Sequence, residues 1–432
     1  MVTRRELLML AAATPLLAGD ADPLRPVYHF MPQQNWMNDP NGLIYHNGNY
    51  HMFYQYNPNG AYWGDMHWGH AVSKDLVHWK HLPIALAPTP GGPDKDGVFS
   101  GCCRIHNGKP TMIYTSVNPE TQSIATSDDD LLTWKKYAGN PVIAGPPEGL
   151  HVVGFRDPCL WREGDEWMMA LGSGFKEANG AVLLYSSKDM LHWKYLHTLA
   201  ESPNAEMGTM WECPNFFPLG GKHVLLVSAD RPIRKVLYFV GTYKDRRFTW
   251  DKHGIFDNGG FYYAPQTFPD AEGRRTIFGW SWEGRSDAEQ KASGWAGVQT
   301  LPRLLSLTSD GDLAMAPHPA VLGLRGRRAI GPPGPATEVH AVFARPQGEV
   351  AHIYGMPLSY DGKELAIQGH GVALTLGSNE SLDLRIFLDH SMVEIYANGR
   401  TALTTRIYPD GFRFDFVGAK SMEAFELTKA FL

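Results

Sequence analysis

Three short segments each place one carboxylic acid beside residues that could set its chemistry. Asp39 lies in residues 36–42, which read WMNDPNG, Asp157 follows an arginine in FRDP, and Glu212 lies in WEC. Two carboxyl groups in one pocket can hydrolyse a glycosidic bond, because one attacks the sugar or activates water while the other protonates the departing oxygen. The segments predict glycoside hydrolysis if the fold brings them together.

The neighbours of the two aspartates favour their charged forms. Asn38 and Asn41 can donate hydrogen bonds to Asp39 and keep it ionised. Arg156 precedes Asp157 directly and is expected to hold it as a carboxylate. A fixed anion suits hydrogen bonds to sugar hydroxyls and an oxocarbenium-like transition state.

Glu212 has different neighbours. Trp211, Cys213 and Pro214 surround it in the sequence, and this apolar setting would raise its pKa and keep it protonated. Flat faces for sugar rings are available from Trp36 and from other tryptophans along the chain.

Each acidic residue also has a structural interpretation. Asp39, before Pro and Asn, is by itself more typical of a turn, Asp157 of an ion pair with its neighbour, and Glu212 of the surface. A shared phase within a sequence repeat is what favours catalysis over these alternatives.

Four tryptophans mark that repeat. Trp79, Trp134, Trp193 and Trp250 are separated by 55, 59 and 57 residues, and each follows a polar turn containing aspartate. Constant spacing is typical of repeat architectures. The intervening runs YHMFYQY, TMIYTS, EWMMALGS and HVLLVSA alternate as strands do, and four strands in a unit of this length make a propeller blade.

Five residues recur at roughly equivalent positions in successive units. Asp39, Asp96, Asp157, Glu212 and Tyr263 are separated by 57, 61, 55 and 51 residues. The first strand of each blade lines the central channel of a propeller, so we expect all five to converge on one funnel.

The composition and the repeat pattern of the chain change near residue 322. Residues 25–321 are predicted to form the propeller, residues 322–335 are a Gly-, Pro- and Arg-rich linker, and residues 336–432 alternate as strands of an antiparallel sandwich. A hairpin is predicted at Ala397-Asn398-Gly399. With 45 Gly and 31 Pro, the chain is predicted to be all-β.

Residues 1–21 are typical of an export signal. Arg4 and Arg5 precede a short apolar run and small residues, which favours the twin-arginine route with cleavage after Ala18 or Ala21 and a periplasmic or extracellular location. The alternative is an ordinary N-terminal helix. No other segment is apolar enough to span a membrane, and a net charge of −6 without a basic block does not support nucleic-acid binding.

The four cysteines, Cys102, Cys103, Cys159 and Cys213, have no metal-ligand spacing and are interpreted as mostly buried free thiols. The histidines show no HExxH-like pattern. No metal and no cofactor is expected, and the chain is expected to be a monomer or a simple oligomer.

Taken in order, WMNDPNG, FRDP and WEC resemble the three signature motifs of glycoside hydrolase family 32, the β-fructofuranosidases. The resemblance extends through FYQYNP, HWGHAVSKDLVHW, FSG, FYYAPQTF, GWAGVQTLPRLLSL and LDLRIFLDHSMVEIYANGR, and covers roughly residue 28 to the C-terminus. It implies a five-bladed β-propeller followed by a β-sandwich, and a fructoside as substrate.

The resemblance also implies roles for individual residues. Asp39 would be the nucleophile, Glu212 the general acid/base and Asp157 the transition-state stabiliser. The residues that match the family's terminal fructosyl subsite, together with the indole beside the nucleophile, are Trp36, Asn38, Gln55, Trp63, Phe99, Ser100, Arg156, Tyr263 and Trp280.

Several functions remain open from the sequence. Relatives that cut within inulin chains tend to carry Glu where this chain has Asp39, so the resemblance implies release of terminal fructose from sucrose, inulin or levan. The alternatives are a fructosyltransferase, which uses the same residues, and a non-catalytic fructan-binding propeller. Asn215 stands where the family often has Asp, and a missing charge beside Glu212 is expected to shift the pH optimum.

Overall fold

The computed structural model describes residues 22–176 and 179–431. The predicted export signal, residues 1–21, lies outside the described residues. Within the described ranges, no helix has both the length and the hydrophobicity needed to cross a membrane.

Four-stranded antiparallel sheets form the first four blades. In the first two blades the strands are β1 (Asn35–His46), β2 (Asn49–Asn57), β3 (His67–Ser73), β4 (Trp79–Leu86), β5 (Val98–His106), β6 (Lys109–Ser116), β7 (Thr121–Thr126) and β8 (Lys135–Lys136). In the next two they are β9 (Val152–Glu163), β10 (Glu166–Phe175), β11 (Gly180–Ser187), β12 (Lys194–Glu201), β13 (Met210–Leu219), β14 (Lys222–Asp230), β15 (Lys235–Lys244) and β16 (Arg247–Ile255). The four runs predicted from alternation are second strands, namely β2, β6, β10 and β14.

The fifth blade also closes the ring. Its strands, with the short helix and two short strands inserted between them, are β17 (Tyr263–Pro269), β18 (Arg275–Ser281), α1 (Asp287–Ser293), β19 (Trp295–Ala296), β20 (Val298–Gln299), β21 (Arg303–Leu307) and β22 (Leu313–Pro317). Strand β19 pairs in parallel with β1 of the first blade. The chain therefore joins its last blade to its first, as a closed propeller requires.

The predicted tryptophan repeat is a shared turn in three blades. The indole nitrogens of Trp79, Trp134 and Trp193 each donate to the carbonyl oxygen three residues earlier. The aspartate of each turn accepts backbone N–H groups, which confirms its structural role. The fourth unit differs, because Trp250 lies within β16 after a tight hairpin.

Every innermost strand carries a β-bulge at the same place. In β1 the register shifts between Met37 and Pro40, and comparable shifts occur in β5, β9, β13 and β17, each time with one extra residue on the inner strand. A bulge re-aims side chains and bends its strand. These five bulges lie where the predicted site residues are concentrated.

Two packed sheets follow the propeller and confirm the predicted β-sandwich. One contains β23 (Arg325–Arg328), β24 (Ala336–Phe343), β29 (Leu382–Asp389), β30 (Met392–Ala397), β31 (Thr401–Arg406) and β33 (Ser421–Leu427). The other contains β25 (Gly348–Ile353), β26 (Met356–Tyr360), β27 (Glu364–Ile367), β28 (His370–Ala373) and β32 (Phe414–Phe416). Short 3₁₀ turns are formed by Ala205–Met207 and Pro319–Leu324.

The segment between the two units is more ordered than a linker. Strand β23 lies within residues 322–335 and pairs with β33 at the edge of the sandwich, so the predicted linker contributes a strand to that sheet. The exact domain limits stay a prediction. The hairpin at residues 397–399 forms as expected, with Asn398 and Gly399 at positive φ.

A buried polar cluster joins the sandwich to the propeller. Arg303 of β21 donates to Asp257 at 2.8 Å and to Glu394 of the sandwich at 2.7 Å. His29 contacts Asp389 through Nδ1 and Glu394 through Nε2, both at 2.9 Å. All five side chains are essentially inaccessible to solvent, so each charge is compensated by protein groups of the interface and not by water.

Candidate active site

A pocket of about 500 Å³ opens at the centre of the propeller. Its lining includes every residue predicted to be catalytic or to bind substrate, namely Trp36, Asn38, Asp39, Gln55, Trp63, Phe99, Ser100, Arg156, Asp157, Glu212, Tyr263 and Trp280. The bulged strands supply most of these side chains. The five-fold repeat thus concentrates polar groups at the mouth of the channel.

Asp39 is held within a shell of hydrogen-bond donors. Its carboxylate accepts from Asn38 Nδ2 at 3.0 Å, from Ser100 Oγ at 2.5 Å and from Cys213 Sγ at 3.4 Å. Gln55 donates in turn to Ser100 at 3.4 Å. Burial raises the pKa of Asp39 above its usual value, while the hydrogen bonds from Ser100 and Asn38 lower it.

Asp157 contacts the same cysteine sulfur as Asp39, that of Cys213. It accepts from the backbone N–H of Cys213 at 2.9 Å and from Cys213 Sγ at 3.5 Å. Burial raises the pKa of Asp157 to about 7, although the charge of Arg156 acts in the opposite direction. The charge of Arg156 thus favours the carboxylate, as expected from the sequence, while the desolvation of this fully buried acid opposes it.

Glu212 is paired with a cation and a phenol. Arg156 Nη2 lies 2.6 Å from its Oε1, and the Tyr263 hydroxyl donates to its Oε2 at 2.6 Å. Arg156 also donates to Glu120 at 2.8 Å. The prediction that Glu212 has apolar surroundings is therefore wrong, because its side chain points into the pocket and contacts polar groups there.

Two pairs of aromatic rings line the pocket. Trp36 packs edge-on against Trp280 with centroids 5.8 Å apart, and Trp36 Nε1 donates to Asn38 Oδ1 at 2.8 Å. Trp63 packs edge-on against Phe99 with centroids 6.0 Å apart. These rings present flat apolar surfaces next to the carboxyl groups, which suits a sugar ring.

Two residues depart from the sequence prediction. Asp96 precedes β5 on an exposed turn beside Lys95 and does not line the pocket, since the residues of that blade that do so are Phe99 and Ser100 in the bulge. Asn41 does not donate to Asp39: its Nδ2 is buried without a hydrogen-bond partner, and its Oδ1 accepts the backbone N–H of Gly101 at 3.3 Å.

Asn215 has a fully used amide. Its Nδ2 donates to the carbonyl oxygens of Cys213 and Pro265 at 3.0 and 2.8 Å, and its Oδ1 accepts from Thr267 at 2.8 Å. A charged aspartate could not donate to those two carbonyl groups. The amide at this position therefore fixes the backbone beside Glu212.

Five further lining residues were not predicted. They are Met66, Glu120, Asp230, Arg231 and Arg234. Apart from Asp230, which ends β14, they lie in connections between the second and third strands of a blade, which open on the same side as the start of the first strand. That topological rule, applied to the repeat, is the signal that could have identified them.

Comparison with known proteins identifies the family. The profile of the glycosyl hydrolases family 32 N-terminal domain matches residues 29–317, and that of the family 32 C-terminal domain matches residues 357–428. The chain belongs to glycoside hydrolase family 32. It is a glycoside hydrolase with the β-fructofuranosidase activity of that family.

Relatives of this family 32 enzyme agree along most of its length. Sucrose-6-phosphate hydrolase of Escherichia coli is 36% identical, with 89% of each chain covered. The solved structure of the Bombyx mori GH32 beta-fructofuranosidase has a TM-score of 0.84 at 31% identity, covering 95% of both chains. Fructan 1-exohydrolase IIa from Cichorium intybus has a TM-score of 0.85 at 26% identity, covering 95% of this chain and 99% of that one.

Proposed function

We propose that this enzyme is a retaining, exo-acting β-fructofuranosidase that removes terminal β-D-fructofuranosyl residues from sucrose and from fructans such as inulin or levan. One observation carries the proposal. Asp39, Asp157 and Glu212 come from three different blades, and all three line the same pocket. Two of them contact the sulfur of Cys213, and the third is fixed by Arg156 and Tyr263.

The first half of the reaction forms a covalent intermediate. The Asp39 carboxylate attacks the anomeric carbon of the fructosyl unit as the bond to the leaving oxygen breaks, and Glu212 gives its proton to that oxygen. Hydrogen bonds from Asn38 and Ser100 stabilise the Asp39 anion that must make this attack.

The second half releases fructose. Glu212, now a carboxylate, takes a proton from water, and the water oxygen attacks the anomeric carbon and frees Asp39. Two displacements at the same carbon retain its configuration. Asp157 is assigned to the hydroxyl groups of the fructosyl ring, where it is held by the backbone of Cys213.

Exo-action is favoured by the shape of the pocket. Trp36 and Trp280 form one wall and Trp63 and Phe99 another, while the carboxyl groups lie at the inner strands. A single terminal ring fits between such walls, whereas a chain threaded through its middle would need an open cleft.

The names of the relatives support these substrate classes. They include a sucrose-6-phosphate hydrolase, a raffinose invertase and a fructan 1-exohydrolase.

Charged groups for the leaving sugar are offered by the pocket residues Asp230, Arg231 and Arg234. The guanidinium of Arg234 lies 4.4 Å from the ring centroid of Trp282, so this cation is held in place.

We also propose that the enzyme acts outside the cytoplasm. Arg4, Arg5 and the apolar run that follows them support export.

A fructosyltransferase is the alternative activity, because a sugar hydroxyl can replace water in the second half of the reaction.

Time-resolved chromatography of sucrose, inulin and levan digests tests the proposal. Fructose should be the first product from each polymer, and fructose and glucose should appear in equal amounts from sucrose. Asp39→Ala and Glu212→Ala should each lower kcat by several orders of magnitude while remaining folded. Early fructo-oligosaccharides would contradict exo-action, excess glucose with lengthening chains would identify a transferase, and unchanged turnover in either variant would contradict the assigned roles.

A further inference from the structure

A second cavity of about 300 Å³ opens beside the active-site pocket. We call it the outer pocket. It shares part of its wall with the active-site pocket, and the lining residues common to both are Trp63, Met66, Phe99 and Glu120. The residues that line only the outer pocket are Gly64, Asp65, Asp96, Val117, Asn118 and Pro119. A ligand too long for the active-site pocket can therefore continue into the outer pocket around this common wall.

The common wall presents an aromatic face to solvent. Trp63 is 60% exposed, and among the described tryptophans it is the only exposed one. Its edge-on contact with Phe99 holds the indole ring against the start of β5. Exposed apolar surface is costly in water at about 25 cal/mol per Å². A ligand with an apolar ring face would recover part of that cost by stacking here.

The polar groups of the outer pocket suit a neutral ligand with many hydroxyl groups. Asp65, Asp96 and Glu120 supply carboxylates and Asn118 supplies an amide. Lys95 pairs with Asp96 and Arg156 pairs with Glu120, but each of these carboxylates keeps oxygen lone pairs for hydroxyl donors. Carboxylate oxygens accept hydrogen bonds from hydroxyl groups. An exposed indole next to acceptors is a combination that fits a hexose ring.

We propose that the outer pocket is a subsite for the leaving chain of oligosaccharides with three or more sugar units. The inference rests on the proposed function, because the terminal fructosyl unit must occupy the active-site pocket for the chain to point outward. A disaccharide places only one sugar beyond the scissile bond and ends at the mouth of the active-site pocket. The next sugar of a longer chain stacks on Trp63 and donates hydrogen bonds to Asp96. The outer pocket thus favours fructans over sucrose.

Substitution of Asp96 tests this subsite without touching the active-site pocket. Asp96→Ala removes an acceptor, and Asp96→Trp fills the space. Both are assayed with sucrose, 1-kestose and 6-kestose. Asp128→Ala is the matched control, because Asp128 forms a similar exposed pair with a lysine in the same blade but lies outside both pockets.

The expected result is a loss confined to the trisaccharides. Asp96→Ala should lower kcat/KM for at least one kestose by about 3- to 10-fold, the cost of one lost hydrogen bond, and Asp96→Trp should lower it further. Activity on sucrose should stay within about twofold, and the control should match the wild type throughout.

Two results would overturn the subsite. Either all Asp96 variants match the wild type on every substrate, or sucrose and the kestoses lose activity equally. A wild-type enzyme without activity on any fructoside would instead refute the proposed function, so the two failures are distinguishable.

Discussion

The hydrogen bond from Ser100 to Asp39 makes a quantitative prediction about pH. Ser100 Oγ lies 2.5 Å from Asp39 Oδ2, while burial pushes the pKa of Asp39 upward. A hydrogen bond to a charged group contributes about 1.5–3 kcal/mol, and one pKa unit corresponds to about 1.36 kcal/mol. Ser100→Ala should therefore raise the pKa of Asp39 by about 1–2 units.

The consequence is measurable in the pH dependence of kcat/KM for sucrose. The nucleophile must be deprotonated, so activity rises with pH through the pKa of Asp39. In Ser100→Ala the acid limb should move to higher pH by that amount. Loss of activity would then be largest at low pH and partly recovered at higher pH.

Matched variants separate this effect from a loss of packing. Ser100→Thr keeps the hydroxyl and should keep the acid limb near its original position. Ser116→Ala removes a hydroxyl in the same blade that pairs with Ser123 at 2.8 Å and contacts no carboxylate, so its profile should not shift. An acid limb that stays in place in Ser100→Ala would refute the reasoning.

Three further predictions concern stability, the buried acid and export. Burial alone would lower the pKa of His29, but its hydrogen bonds to Asp389 and Glu394 outweigh that effect and raise it. The stabilising contribution is therefore complete below the unfolded value near 6.5 and lost as pH rises through the raised pKa. His29→Gln should lower the free energy of unfolding at pH 6 by about 3–5 kcal/mol, and urea titrations that give the same difference at pH 9 would contradict this. Because burial raises the pKa of Asp157 to about 7, its charge destabilises the fold as pH rises from about 4 to 7. Asp157→Asn should abolish activity. It should also raise the free energy of unfolding at pH 7 by roughly 2–4 kcal/mol and raise it much less at pH 4, so an equal gain at both pH values would contradict this. Mass spectrometry of the native protein should find that about 20 residues have been removed from the N-terminus, and an intact chain in the cytoplasm would refute export.

The sequence predicts the propeller well because its repeat reports a local structure. The turn before Trp79, Trp134 and Trp193 is built from side-chain and backbone contacts within a few residues, and such short-range contacts leave a periodic pattern. Alternation in the second strands is equally local. Both signals survive in a single sequence without any knowledge of which blades are neighbours.

Counting residues between blades predicts less about individual side chains. Asp39 is the second bulged residue of its strand, Asp157 is the first bulged residue of its strand, and Glu212 directly precedes the bulge of its strand. In the inner strand of the second blade, Phe99 and Ser100 line the site, whereas Asp96 does not. Residues that are equally spaced along the chain therefore occupy only roughly equivalent positions in the funnel.

Long-range pairing explains the remaining errors. The sequence pairs Arg156 with its neighbour Asp157, but the guanidinium reaches across two blade junctions to Glu120 and Glu212. Such contacts connect residues 36 and 56 positions apart, and no local pattern encodes them. The protonation of the buried acids depends on the same long-range arrangement, so it too requires the structure.

The central claim, double displacement at a terminal fructosyl unit, is tested most directly by time-resolved NMR of sucrose hydrolysis at high enzyme concentration. The spectrum reports the anomeric form of fructose before mutarotation. The account predicts that β-fructofuranose appears first, because attack by Asp39 and then by water inverts the anomeric carbon twice. Initial release of the α-anomer would contradict it, since a single displacement by water would then suffice.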